Sequence, residues 1–125
     1  MHFVFADSEV AQCHWADGQL RLRFSAAQLV DTQSPDAEVL WAPLLLTADA
    51  VEPWETTAPD ACMGRLRQGS VLYASQRMLR LPVPCELEGV VTLELEFAQG
   101  GIVHARCESL SLHPLQATAV KAYQC

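Results

Sequence analysis

The chain is short of basic residues, of charge in general and of long apolar runs, and each shortage closes off a class of function. Lys and Arg together number 8 against 15 Asp and Glu, a formal net charge of −7. Phosphate neutralisation needs a dominant basic face, so general nucleic-acid binding is disfavoured. No stretch approaches the roughly 20 apolar residues that span a bilayer, which argues against a membrane protein. The start, Met1-His2-Phe3-Val4-Phe5-Ala6-Asp7, has neither the basic opening nor the long apolar run of a secretory signal, and a cytoplasmic location is expected. There is no Gly-x-Ser-x-Gly elbow. Gly64 and Gly69 are not followed by Lys-Ser or Lys-Thr, and Gly100-Gly101 reads as a β-turn, so no glycine-rich phosphate cradle is formed. No cofactor is expected. The five cysteines, at 13, 62, 85, 107 and 125, are odd in number and irregularly spaced, which fits buried thiols better than a disulfide framework.

Against these shortages stands an excess of hydrophobic residues, 50% of the chain with only 18% charged. At 125 residues this is one domain with a well-filled core, and the apolar surplus makes dimerisation an expectation. The clearest pattern lies in residues 90–112. Val91, Leu93, Leu95 and Phe97 fall on one face and Thr92, Glu94 and Glu96 on the other, the period of two of a half-buried strand. Gln99-Gly100-Gly101 supplies the tight turn, and the chain returns through residues 102–112. In the return, Val103, Ala105 and Cys107 share one parity and Leu110 and Leu112 the other, which predicts a bulge near Glu108-Ser109.

The same reading extends along the chain. Residues 2–5 form a short strand, and residues 10–15 and 19–24 flank the hairpin signal Asp17-Gly18. Leu-Arg-Leu-Arg-Phe at 20–24 mirrors Leu-Glu-Leu-Glu-Phe at 93–97 with inverted charge, so a pairing of the two would set Arg21 and Arg23 beside Glu94 and Glu96. The apolar run 39–48 reads as a strand buried on both faces, with Pro43 at an edge or bulge. Residues 63–73 are a strand; residues 78–83 are an edge strand with Leu79, Leu81 and Val83 facing in. Residues 115–125 are a weakly structured tail. Arg65, Arg67, Arg77 and Arg80 fall in a stretch without acids and are expected to face acidic strands of the same sheet. The prediction is a single antiparallel β-sandwich or flattened small barrel of about eight to ten short strands.

Candidate sites are few. Trp54, with Glu55 beside it in a proline-flanked acidic loop, is a loop anchor or a contact residue. Trp41 with Leu44 and Leu46 would line a cavity for a small apolar or sugar ligand. Cys13, His14, His104 and Cys107 would hold zinc only if their strands met, and the three-residue spacing of His104 and Cys107 places them on opposite faces, so no metal is the favoured reading. Glu94 and Glu96 read as a solvated face rather than an acid/base pair. The functional expectation is a non-enzymatic interaction protein that binds a protein partner or itself. The runner-up is a small-ligand-binding barrel, and an enzyme comes third.

Overall fold

The computed structural model describes residues 1–31, 39–53 and 61–115. The described residues form nine strands: β1 (His2–Ala16), β2 (Gln19–Val30), β3 (Val39–Asp49), β4 (Glu52–Pro53), β5 (Gly64–Tyr73), β6 (Gln76–Met78), β7 (Arg80–Pro82), β8 (Cys85–Phe97) and β9 (Ile102–Pro114). All pairings are antiparallel. The order β5-β8-β9-β3-β2-β1 is closed by pairing of β1 with β5, giving a six-stranded barrel to which the short β4, β6 and β7 are added at the rims. The small-barrel expectation holds, although five of the strands run to 11 residues or more and are not short.

Alternation builds the interior. Leu20, Leu22 and Phe24 of β2, Leu44 and Leu46 of β3, and Val91, Leu93, Leu95 and Phe97 of β8 all point inward and are buried. Phe3 meets Phe5 and Phe24 edge to face, with ring centroids 4.8 and 5.1 Å apart. Asp17 and Gly18 both take positive φ, at 54° and 75°, as the two-residue β1–β2 turn demands.

The irregular positions refine the reading from sequence. The β8–β9 bulge exists where the parity change requires it, but the extra residue belongs to β8: Gly89 and Val90 span the shift opposite Glu108, and Gly89 takes φ 109°. Pro43 lies in β3 at a gap in the ladder, between Ala27↔Ala42 and Phe24↔Leu44, where its missing N–H costs no bond. β3 itself is buried on one face and half-buried on the other. The segment 78–83 is not one strand. The chain leaves β6 beside β5 and joins β1 as β7, so Leu79 turns outward while Leu81 stays buried. β2 and β8 are not neighbours, and Arg21 and Arg23 therefore do not meet Glu94 and Glu96.

Residues 2–5 and 10–15, expected as separate strands, are one strand, β1, with a kink at Ala6-Asp7-Ser8. Asp7 takes φ 67°, and the register with β2 jumps between Val4↔Gln28 and Glu9↔Ala26. Ser8 fills the kink. Its buried hydroxyl donates to the Val4 carbonyl at 2.7 Å and accepts from the Gln28 amide at 2.9 Å. Ser8→Ala strands both backbone groups, and chemical denaturation should show a loss of about 1–3 kcal/mol.

Candidate functional site

Because β5, β8 and β9 are adjacent and in fixed register, their outward side chains fall into rows. Gln68, Glu96 and Ile102 form one, and Ser70, Glu94 and His104 the next. The Ala74-Ser75 turn folds β6 back onto β5 and brings Arg77 over the second row. Arg77 Nη1 donates to Ser70 Oγ at 2.7 Å and to Glu94 Oε2 at 2.5 Å, while the other Glu94 oxygen lies 3.4 Å from His104 Nε2. In the first row Gln68 Nε2 donates to Glu96 Oε2 at 2.6 Å, and Arg67 Nη1 reaches Glu96 Oε1 at 3.3 Å. All of these side chains except Arg67 line an open groove of about 350 Å³ whose borders include Leu79 and Ile102, 63% and 44% exposed.

Chemically the groove is suited to binding. The Ser70 hydroxyl accepts from the Arg77 guanidinium, which has no lone pair to take a proton and does not make a nucleophile of it. Both Glu94 oxygens are engaged. Exposed ion pairs of this kind contribute roughly 0.2–1 kcal/mol each, so their main effect is to hold charged groups in a fixed lattice between two apolar side chains. The expectation that the arginines of 63–81 face acids of the same sheet is met by Arg67 and Arg77, and Arg65 pairs with Asp7 at 3.1 Å. The Glu94–His104 contact was available from the sequence: a turn at 98–101 sets Glu96 against Ile102 and hence Glu94 against His104. Arg77 was not, because it arrives from a separate hairpin.

No family model, no curated protein and no solved structure matches the chain.

The residues singled out from sequence are scattered around the barrel. Trp54 and Glu55 lie outside the described residues. Trp41 is half-buried and shares its parity with Pro43 and Leu45 on the outer side, opposite to buried Leu44 and Leu46, so the three do not line one cavity. The zinc alternative also fails, because its four residues do not converge. Cys107 points inward, with its thiol donating to the Val91 carbonyl at 3.5 Å, whereas His104 points outward to Glu94. Cys13 and His14 belong to β1, which does not pair with β9. Among the described residues no group of three His, Cys, Asp or Glu side chains is placed to hold a metal. Burial pushes the Cys107 thiol up to about 11, which makes it an inert core residue. Tyr73, at the end of β5, donates its hydroxyl to the Glu88 carbonyl at 2.8 Å.

Proposed function

We propose that the barrel is a non-enzymatic cytoplasmic interaction module that takes a segment of a protein partner across the β5–β6–β8–β9 face, with no cofactor. The observation that supports this reading is the pairing of two exposed apolar side chains, Leu79 and Ile102, with an ordered lattice of charges between them. Apolar contacts supply affinity in such a patch, and the fixed charges supply register. The interior favours an outer site over an enclosed ligand, since Phe3, Phe5, Phe24 and Phe97 fill it. The formal charge of −7 favours a basic partner, because two copies of this chain would repel each other.

The test is selection of displayed random peptides on the wild-type protein and on a Leu79→Glu/Ile102→Glu variant. Peptides carrying apolar and basic residues should be enriched by the wild type and lost on the variant. Equal enrichment on both proteins removes the groove from consideration. A dimer in light scattering that the same double variant dissolves would shift the reading to self-association. Trp54→Ala belongs in the same selection, because the sequence leaves Trp54 either a loop anchor or a contact residue and only a contact residue would change the enrichment.

A further inference from the structure

Alternation along β2 buries Leu20, Leu22 and Phe24 and turns Arg21 and Arg23 outward, two positions and so roughly 7 Å apart along the strand. The acids that mirror them in sequence, Glu94 and Glu96, lie on β8, which is not a neighbour of β2, so the two arginines keep their outer face without those partners. Register with β1 sets Gln12 beside Arg23 and His14 beside Arg21, and register with β3 sets Leu45 on the other side of Arg23. These five outward side chains border a groove of about 570 Å³, to which Met63 and Leu115, 38% and 42% exposed, add apolar walls. The groove belongs to the β1–β2–β3 half of the ring and shares no lining residue with the one on β5, β8 and β9. Arg23 Nε donates to Gln12 Oε1 at 3.2 Å, which fixes the guanidinium and leaves its two terminal nitrogens to a ligand. Among the described residues Arg21, Arg23 and His14 form no ion pair. The outward acid nearest by register, Asp49, receives hydrogen bonds from Gln19 at 2.8 Å and Ser109 at 3.2 Å, and beyond Leu45 the carboxylate of Glu86 lies 3.3 Å from His113. On a chain of net charge −7, this is a groove with cations and no acid.

We infer that this groove binds a small organic phosphate monoester, with the phosphate between Arg21 and Arg23 and the organic body against Leu45, Met63 and Leu115. The charge selects the head group. Two guanidiniums with an imidazole beside them offer two fixed positive charges and more N–H donors than the two oxygens of a single carboxylate can use, whereas a phosphate monoester brings close to two negative charges and three acceptor oxygens. The residue type agrees with this. Arginine at both positions, rather than lysine, suits a two-point contact along the edge of a phosphate. The apolar side chains select the rest of the ligand: inorganic phosphate would leave Met63 and Leu115 exposed, and an apolar body attached to the phosphate covers them. The volume of the groove falls in the range of small-molecule sites. The site is independent of the peptide-binding face, since it lies on other strands.

The experiment titrates the isotope-labelled full chain with phenyl phosphate at pH 7.5 and low salt and follows its backbone amides by NMR. Amides of residues 12–14, 21–23 and 45 should shift together, with a dissociation constant on the order of 0.1–1 mM. Arg21→Ala/Arg23→Ala changes two exposed side chains, so the rest of the spectrum should stay in place while binding weakens by about tenfold or more. Arg21→Lys/Arg23→Lys keeps the charge but loses the two-point contact, and should fall between the two. Phenol should not bind, and inorganic phosphate should bind roughly three- to tenfold more weakly than the ester. Shifts confined to other residues, an unchanged affinity in the alanine variant, or no shift at tenfold higher ester concentration would each overturn the site. Inorganic phosphate binding as tightly as the ester would overturn the role of the apolar walls. A phosphotyrosine peptide binding tenfold more tightly than phenyl phosphate would overturn the small-ester assignment in favour of a phosphorylated protein.

Discussion

Gly101→Ala should lower the unfolding free energy by about 2–4 kcal/mol, read as a shifted midpoint in urea with an unchanged slope. The reason is backbone against backbone. A β-carbon at this position would stand 2.2 Å from the Ala61 carbonyl oxygen and 3.1 Å from its carbon, neither of which can rotate away. Nor can Gly101 retreat, because its own carbonyl accepts the Phe97 amide at 2.8 Å and so closes the β8–β9 turn. Gly100→Ala is the control. Gly100 takes φ 101° but has open space where a methyl would go, so it should lose only the roughly 1 kcal/mol of left-handed strain. Equal losses at the two positions would mean that the close approach of residue 61 does not restrain the turn.

Leu95→Ala should cost roughly 2–5 kcal/mol, because Leu95 is buried on the inward face of a central barrel strand. The informative form of the experiment is a cycle with Gly69. A β-carbon on Gly69 would lie 2.8 Å from Leu95 Cδ2 and 2.9 Å from two atoms of Phe5, so Gly69→Ala overpacks the same spot and should cost about 1–3 kcal/mol alone. In the double variant the new methyl occupies space that Leu95 has vacated. The two losses should then sum to less than their separate values by on the order of 1 kcal/mol. Strict additivity would place the strain of Gly69→Ala on Phe5 instead.

What was legible in the chain was local. The alternation at 20–24 and 91–97 names the inward residues, and the Asp17-Gly18 and Gly100-Gly101 turns set their hairpins. Side-chain parity tells which face a residue occupies and says nothing about which strand lies next to it. For that reason the charge-inverted twins at 20–24 and 93–97 suggested a partnership that the barrel does not make, and closure of residues 9–10 onto 64–65 was hidden by its long separation in sequence. Trp41 was misplaced for a related reason: with both parities of 39–48 apolar, alternation gives no signal of which side faces out. Leu79 was assigned inward because the hop of the chain from β6 to β7 leaves no mark in a run of alternating residues. Of the candidate groove, the Glu94–His104 contact follows from the hairpin alone, and the arrival of Arg77 requires the tertiary fold.

Closure of the barrel also governs what this chain offers to other unfolded or partly folded chains. A strand-rich sequence that is half hydrophobic would, as an open sheet, present long rows of unpaired N–H and C=O groups on which amyloid-like growth is templated. Here the three rim strands have only two or three residues each, and each carries a charged residue, with Pro53 and Pro82 in two of them. The long edges are concealed as long as Glu9 and Val10 stay bonded to Arg65 and Gly64. Among the described residues the aggregation hazard is therefore concentrated in one short seam, and the frequency with which that seam opens sets how often the long edges are exposed to template a fibril.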